Sequence, residues 1–251
     1  LLRRITLIAA QNEEDGARFI TLGARSNQVT VTGSLKFDIS VTPELAARAL
    51  TLRRQWAPRR QVWIATSTHD GEEQIILQAH KKLLETFPNL LLILVPRHPE
   101  RFPDAREMVQ KAGMSFTLRS TGEIPSSSTQ VVIGDTMGEL MLLYGIADLA
   151  FVGGSLVKIG GHNLLEPAAL GKPCLTGPVY FNFSDITRQL VAQGGAAVVA
   201  DADALGDKVI TLLGDAGARR QMGEQARAVV LRNQGALART LSHCLAALEN
   251  D

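Results

Sequence analysis

Residues 147–178, "ADLAFVGGSLVKIGGHNLLEPAALGKPCLTGP", indicate the fold of this chain most directly. A short apolar run, "ADLAFVGG", breaks into glycines, "HNLLEPAALGKP" has the composition of a short helix, and "PCLTGP" is a second apolar run. Continuous apolar strands joined through a helix are typical of a parallel sheet that is covered on both faces. The stretch therefore predicts a strand–helix–strand unit with a glycine-rich loop after its first strand.

The same alternation of strands and helices extends along almost the whole chain and predicts an α/β fold with a doubly wound parallel sheet. We assign residues 1–50 to the end of another domain and a linker, and residues 51–251 to the domain that contains the sheet. The predicted strands are 4–11, one within 28–38, 61–67, 90–96, 114–120, 130–135, 148–154, 173–178 and 196–201. The predicted helices are 13–24, 43–60, 71–86, 103–113, 138–147, 164–171, 184–194, 203–214, 216–232 and 234–249.

The composition excludes several classes of protein. The 251 residues are 45% hydrophobic and 20% charged, and the formal net charge of +1 gives no field that would attract nucleic acid. Cys174 and Cys244 are too few and too far apart for a disulfide framework or a metal cluster. No apolar run approaches the roughly 20 residues that cross a bilayer. The chain begins at Leu1, and "LLRRITLIAA" resembles internal sequence, so we expect a soluble piece of a longer protein.

Polar, glycine-rich or cationic residues follow four successive predicted strands. They are 68–72, "THDGE", 96–101, "PRHPER", 136–139, "TMGE", and the glycine-rich loop that precedes Glu166. Ligands of open parallel sheets bind beyond the carboxyl ends of the strands, where helix N-termini present free N–H groups. We therefore expect one ligand site that these four segments share.

Glu166 has two interpretations. Asn163 and Glu166 have the spacing of a capping box, as do Thr136 and Glu139, and such boxes are common at helix starts. The preceding loop contains four glycines within nine positions, which indicates that a ligand approaches the backbone closely. A carboxylate in that place could accept two hydrogen bonds from a ribose diol. The two interpretations are compatible.

Arg97 suits the oxygen atoms of a phosphate, which a guanidinium binds through two parallel hydrogen bonds. A surface ion pair with Glu100 is the alternative. His69 and His98 are candidate acid–base groups or ordinary surface histidines, and His162 is better placed to touch a ligand. A further cation, Lys36, lies where we place the hinge between domains, and Phe181 and Phe183 are expected to pack in the core or between domains.

Seven segments, in this order, resemble the 3-deoxy-D-manno-octulosonate (Kdo) transferases of Gram-negative lipopolysaccharide synthesis. They are "TGSLKFD", "STHDGEE", "LVPRHPERF", "GDTMGEL", "YGIADLAFVGGSL", "GGHNLLEPAALGKP" and "FNFSDI". The resemblance implies a GT-B glycosyltransferase with two Rossmann-like domains, of which this chain holds the C-terminal, donor-binding one. Such enzymes transfer Kdo from CMP-Kdo to a lipid A precursor with inversion, without a metal or other cofactor, at the cytoplasmic face of the inner membrane.

The resemblance also assigns residues. It implies CMP contacts at Pro96, Arg97, Met137, Gly138, Glu139, Asn163, Leu164, Leu165 and Glu166, and candidate donor contacts at Lys36, Ser67, Thr68, His69, Gly161 and His162. Leu164 replaces a proline that is commoner in the family. The family's catalytic base is a glutamate of the N-terminal domain, which also makes the membrane contact and is missing here. We therefore expect this chain to contain no catalytic residue, to bind CMP, and to be inactive alone.

Two other functions stay open. The first is a UDP-sugar 2-epimerase, which has the same two-domain architecture and would prefer UDP. The second is a non-catalytic nucleotide-sugar binding module, which would show no transfer even with an N-terminal half added. The chain lacks "GxxxxGK[ST]", lacks "GxGxxG" after its first strand, and lacks "GxSxG". The common NTPase, dinucleotide and serine hydrolase motifs are therefore absent.

Overall fold

A computed structural model describes residues 2–249 of the chain. The strands are β1 Ile8–Ala10, β2 Val29–Val31, β3 Val62–Thr68, β4 Leu91–Pro96, β5 Phe116–Leu118, β6 Val131–Ile133, β7 Leu149–Val152, β8 Cys174–Thr176 and β9 Ala196–Val198. The helices are α1 Glu13–Thr21, α2 Pro43–Trp56, α3 Glu72–Thr86, α4 Phe102–Lys111, α5 Leu140–Ile146, α6 Leu165–Ala169, α7 Ser184–Ala192, α8 Ala202–Gly214, α9 Ala216–Asn233 and α10 Ala236–Glu249. Each predicted element is present, and most are shorter than predicted.

The described residues form two compact units, 2–40 together with 230–249, and 41–229. Helix α2 belongs to the second unit and helix α10 to the first, so these borders differ from a division at residue 50. The assignment of 1–50 and 51–251 to two domains of a longer enzyme stays a prediction. Its residues 1, 250 and 251 lie outside the described part of the chain.

The first unit contains a parallel pair of strands, β1 and β2, in which Ile8 is aligned with Val29. Asp38 ties its two chain segments together. One carboxylate oxygen accepts the N–H of Gly235 at 2.6 Å, and the other accepts the N–H of Leu237 at 2.6 Å. Because Leu237 lies in the first turn of α10, the carboxylate also satisfies N–H groups that have no partner inside the helix.

The second unit is built on a seven-stranded parallel sheet with the order β5-β6-β4-β3-β7-β8-β9. The doubly wound fold that the sequence predicts is confirmed. After β3 the chain adds β4, β5 and β6 on one side of it, and then returns to place β7 on its other side. This reversal makes the carboxyl ends of β3 and β7 a topological switch point, where such sheets bind ligands.

Alternate side chains of the central strands enter two cores on opposite faces of the sheet. Leu92 and Leu94 of β4 pack on the face that also holds buried side chains of α3, α4 and α8. Leu91 and Ile93 pack on the other face, against α2 and α5. All four are fully buried. Apolar side chains on both faces explain the continuous apolar runs in the sequence.

Candidate functional site

A cavity of about 370 Å³ opens at the carboxyl ends of β3, β4, β6 and β7, inside the second unit. This volume is within the range of small-molecule sites, roughly 300–1,000 Å³. Segments 96–101 and 136–139 contribute to its wall, and so do the residues that follow the glycine-rich loop, whereas 68–72 does not and only the preceding Ser67 lines the cavity. The predicted site residues that line it are Ser67, Pro96, Arg97, Met137, Gly138, His162, Asn163 and Glu166.

Glu166 is half-buried at the wall of this cavity and is not part of a capping box. Helix α6 begins at Leu165, and the Asn163 side chain accepts the N–H of Leu165 at 3.1 Å instead of that of Glu166. Within residues 2–249 no N–H or O–H group donates to the Glu166 carboxylate. Burial raises its pKa, and no cation offsets this effect. The expected cap is therefore wrong, and the carboxylate has free acceptor capacity toward the cavity.

The second expected capping box, Thr136 with Glu139, does not form either. The Glu139 carboxylate accepts two hydrogen bonds from the Arg119 guanidinium, at 2.8 and 3.0 Å, and one from the Thr136 hydroxyl at 2.6 Å. Burial opposes ionisation of Glu139, but the bond from Thr136 and the ion pair with Arg119 outweigh it and lower its pKa. Helix α5 begins only at Leu140. Glu139 thus holds the loop whose Met137 and Gly138 line the cavity.

The glycine-rich loop is fixed by a buried residue that the sequence reading did not single out. The Glu72 carboxylate, fully buried at the start of α3, accepts the N–H groups of Gly154, Ser155 and Leu156 at 2.6–2.9 Å. It also accepts the N–H of His69 at 3.0 Å. The N–H groups of Gly154, Ser155 and Leu156 therefore already have a hydrogen-bond acceptor within the protein. The sequence signal was only an acidic residue after Gly71, which is ordinary at a helix start.

The glycines of this loop allow close contacts within the protein, in addition to any with a ligand. A Cβ on Gly153 would lie 2.8 Å from the Glu72 carboxylate and 2.9 Å from the Ser67 carbonyl oxygen. A Cβ on Gly160, whose φ is +108°, would lie 2.6 Å from the ring of Phe181. These internal contacts alone require glycine at both positions, and the close approach of a ligand to this loop stays a prediction.

Arg97 and His162 line the cavity, and two further histidines, His69 and His98, pack behind His162. The rings of His69 and His162 are stacked with centroids 5.1 Å apart, and their Nε2 atoms are 2.8 Å apart. His98 meets His69 edge-on at 5.5 Å. Burial, His69, Arg97 and His98 together lower the pKa of His162 to about 4. Burial also lowers the pKa of His69, against the opposing effect of Glu72.

Ser67, at the end of β3, has a strained backbone. Its φ is +53°, which side-chain-bearing residues rarely adopt, and the pairing of β3 with β4 shifts register between Thr66 and Thr68. Strain of this kind is concentrated at functional sites. The hydroxyl of the next residue, Thr68, is buried and donates to Glu73 at 3.0 Å. Ser67, and not Thr68, therefore lines the cavity.

The remaining predicted residues have other positions. Leu164 and Leu165 are fully buried. The N–H of Gly161 is bound by the carbonyl oxygen of Gly154 at 2.7 Å. Lys36 lies in the first unit, where it lines a separate cavity of about 680 Å³.

Neither of the two phenylalanines packs in the core, so that part of the expectation is wrong. Phe181 is 64% exposed, and the partly buried Phe183 lines the cavity. Packing between domains, the other alternative, stays a prediction. Within residues 2–249, no group of three metal-ligating side chains is arranged to hold a metal ion. No helix of that range is long and apolar enough to span a membrane.

Comparison with known proteins identifies the class of this fold and site. The family described as "Glycosyl transferases group 1" matches residues 72–229, and the family described as "3-Deoxy-D-manno-octulosonic-acid transferase (kdotransferase)" matches residues 1–39. The chain therefore belongs to the group 1 glycosyl transferases.

Individual relatives narrow the class. The chain is 49% identical to a 3-deoxy-D-manno-octulosonic acid transferase of Haemophilus influenzae, over 95% of this chain and 56% of the relative. It is 41% identical to the enzyme of the same name from Bordetella pertussis, over 93% of this chain and 55% of the relative. The chain spans about half the length of the curated relatives it matches.

A solved structure agrees with these relatives. The C-terminal CMP-Kdo binding domain of WaaA from Acinetobacter baumannii matches with a TM-score of 0.72 and 39% identity. The match covers 76% of this chain and 99% of that one. The resemblance to the C-terminal part of the Kdo transferases that the sequence motifs indicated is therefore confirmed, together with the fold of a GT-B donor-binding domain.

Proposed function

We propose that this chain is the donor-binding half of an enzyme that transfers Kdo from CMP-Kdo to a lipid A precursor with inversion. One observation carries the proposal. The cavity has an unpaired carboxylate, Glu166, in one part of its wall, and Arg97 with His162 in another. No cation contributes to the pKa of Glu166, so the two charges are separated. A ligand with a diol at one end and an acid at the other complements this arrangement.

The carboxylate side suits the ribose of a nucleotide. A diol donates two hydrogen bonds, and Glu166 offers two oxygen atoms that no group of the described chain uses. Burial raises the pKa of Glu166, so the free protein carries an under-solvated acid. Two charge-assisted hydrogen bonds from a ligand would relieve it. A ligand that donates hydrogen bonds to Glu166 would therefore gain binding free energy, because the carboxylate is desolvated and has no partner in the free protein.

The cationic side suits the phosphate. Arg97 stands at the end of β4, where its guanidinium can bind two phosphate oxygens. The amides of Gly154, Ser155 and Leu156 are bound to Glu72, so these three are not available to the phosphate and Arg97 is its main charged partner in this proposal. When CMP departs from the sugar, the Arg97 guanidinium would stabilise the negative charge that develops on it. We propose that this makes a metal ion unnecessary.

A direct displacement also needs a base within hydrogen-bond reach of the acceptor hydroxyl. We propose that this base lies in a part of the enzyme outside the present chain, together with the surface that holds the lipid acceptor at the cytoplasmic face of the inner membrane. The chain alone would then bind the donor and transfer nothing. Adding an N-terminal half and measuring Kdo transfer from CMP-Kdo tests this point, because a binding module without catalytic function would stay inactive.

Calorimetric titration of the chain with CMP, with UMP as the competing ligand, tests the donor site. CMP should bind, and Glu166→Ala should weaken it by roughly 1–3 kcal/mol, as expected for lost charge-assisted hydrogen bonds. Glu85→Ala, on the exposed side of α3, is the matched control and should bind CMP like the unchanged chain. Preference for UMP would favour a UDP-sugar epimerase, and CMP binding that Glu166→Ala leaves unchanged would contradict the assigned role.

Stability separates the ligand role of Glu166 from a cap. Removing a capping side chain costs about 1 kcal/mol of folding free energy. Removing a half-buried carboxylate without a partner should cost nothing or stabilise the protein, since its desolvation is then avoided. We expect Glu166→Ala to unfold in urea at the same or a higher concentration than the unchanged chain. A lower midpoint would indicate that Glu166 supports the fold.

A further inference from the structure

His69 and His162 form a pair that can hold a limited number of protons. Their Nε2 atoms face each other at 2.8 Å, and their rings are nearly parallel at 4°. One Nε2 must carry a hydrogen and donate it, while the other accepts. Two protonated Nε2 atoms at this distance would repel each other, so the geometry describes a neutral pair, or a pair with one extra proton on the Nδ1 of the donating ring.

The charges around the pair come from three segments of the chain. The start of α3 contributes Glu72, and the segment after β4 contributes Arg97, His98 and Arg101. In addition, His69 and His162 face each other. Glu72 is the single acid that acts on the pair among the described residues, and its oxygens already accept four backbone N–H groups. The protein therefore surrounds the pair with more positive than negative charge, which disfavours the extra proton.

The pair is nevertheless placed to meet an anion. His162 lines the cavity together with Arg97, and Arg97 is close enough to lower the pKa of His162. A negatively charged oxygen that binds Arg97 would neutralise one of the charges that keep the pair neutral. It would add an attractive charge beside the imidazoles at the same time. Both effects favour uptake of a proton from solvent.

We infer that His69 and His162 form a proton-coupled anion subsite beside Arg97, which takes up one proton when an acidic oxygen of the ligand enters. The inference rests on the proposed function, since it concerns the same cavity. The proton comes from the buffer and adds to the free Nδ1 of the donating ring, so the Nε2–Nε2 hydrogen bond is kept and the pair gains one positive charge. The acidic oxygen belongs to the phosphate or to the carboxylate of an octulosonic acid. A neutral sugar would gain nothing from the pair.

Calorimetry in buffers of different ionisation enthalpy measures this proton directly. Two ligands that do not titrate near neutral pH distinguish the sources of the acidic oxygen. Cytidine 5′-(methyl phosphate) carries only the phosphodiester charge, and a phosphonate analogue of CMP-Kdo, with a methylene in place of the anomeric oxygen, adds the carboxylate. Uptake with both ligands assigns the pair to the phosphate, and uptake with the analogue alone assigns it to the carboxylate.

The expected result is an uptake that approaches one proton per ligand near pH 5, just above the pKa of about 4 of the free His162, with affinity falling up to about tenfold per pH unit as the pH rises. His162→Gln and His69→Gln should each abolish the uptake and flatten the pH dependence. His243→Gln, an exposed histidine of α10, is the matched control and should keep both. Binding of both ligands to the unchanged chain without proton uptake would overturn the inference alone. Failure of both ligands to bind would overturn the inference and the proposed function together.

Discussion

The carboxylate of Glu72 accepts a 2.6 Å hydrogen bond from the backbone N–H of Gly154, which is 82 positions away in the sequence. Ser155 and Leu156 donate to the same carboxylate at 2.9 Å. One buried side chain at the start of α3 thus determines the path of the loop that leads to His162 and Glu166. Rigid support of this kind is what holds the groups of a binding site in place.

Glu72→Gln should therefore destabilise the protein, because the NH2 group of glutamine would face backbone N–H groups of the loop, and two donors cannot form a hydrogen bond. Hydrogen bonds to charged groups contribute roughly 1.5–3 kcal/mol each, and the carboxamide keeps one acceptor, so we expect a loss of about 3 kcal/mol in the free energy of unfolding. Urea unfolding followed by circular dichroism measures it. Glu73→Gln is the control.

The control is matched because Glu73 is equally buried and lies next in the chain, but the hydrogen bonds of its carboxylate to Thr68 and Arg101 do not hold the glycine-rich loop. Its pKa is raised, with burial as the largest cause, so replacing it by a neutral side chain should cost less. Equal losses for the two variants would contradict the role given to Glu72. CMP affinity should fall in Glu72→Gln more than in the control.

Arg119 is expected to be a positioning residue for the 136–139 loop. Its bidentate ion pair with Glu139 is only partly exposed, with 21% and 22% of the two side chains accessible. Lysine cannot reproduce two parallel hydrogen bonds to a carboxylate, so Arg119→Lys should weaken CMP binding despite the conserved charge. We expect roughly a tenfold increase in Kd with a stability loss of about 1 kcal/mol or less. Unchanged affinity, measured by calorimetry, would show that the loop does not depend on this pair.

Stability should rise with pH between about pH 4 and 6.5 because of His80. This histidine is fully buried between Trp63, whose indole N–H donates to it at 3.1 Å, and the Gln130 carbonyl oxygen. Burial, the largest cause, lowers its pKa to about 4, against an ordinary 6.5. In this window the unfolded chain binds the proton and the folded chain does not, so acid favours unfolding. The loss amounts to up to about 3 kcal/mol at the acid end.

Urea unfolding at pH 4.5, 5.5 and 6.5 tests this dependence. His162 has a pKa lowered to about 4 as well and contributes with the same sign. His80→Gln and His162→Gln should each reduce the slope of stability against pH, while exposed His243→Gln should leave it unchanged. A slope that His80→Gln does not alter would mean that His80 is not the group that acid protonates.

The sequence predicted the sheet, and the cavity lies at the strand ends where we expected the ligand site, because both depend on patterns that are local. Buried strands such as β4 are continuous apolar runs, and the polar residues that follow them meet at one edge by the geometry of a parallel sheet. The element limits were less accurate, since a helix that starts one residue later looks the same in sequence. For Asn163 and Glu166 that single residue decides between a cap and a free carboxylate.

The rest of the site could not be predicted because it depends on contacts between distant segments. Glu72 looks like any acid in a first helical turn, and only the folded chain brings Gly154 to it. Arg119 follows a short strand and meets Glu139 across 20 positions. The pairing of His69 with His162 spans 93 positions. The glycines were correctly noticed, but sequence cannot tell whether the atom that approaches them belongs to a ligand or to Phe181.

Gly160 provides the sharpest test of that last point. Its φ is +108°, and a Cβ there would lie 2.6 Å from the Phe181 ring and would also contact the Asn182 side chain. Gly160→Ala should therefore lower the free energy of unfolding by about 1 kcal/mol, because alanine disfavours a left-handed backbone, and by roughly 1–3 kcal/mol more because of the overlap. Gly122→Ala is the matched control, because its φ is +71° and nothing lies within 4 Å of the added Cβ. In the control, the free energy of unfolding should fall by the backbone contribution alone. Phe183 is two residues after Phe181 and lines the cavity, so Gly160→Ala should also weaken CMP binding. Equal free energies of unfolding for the two variants would refute the packing role of Gly160.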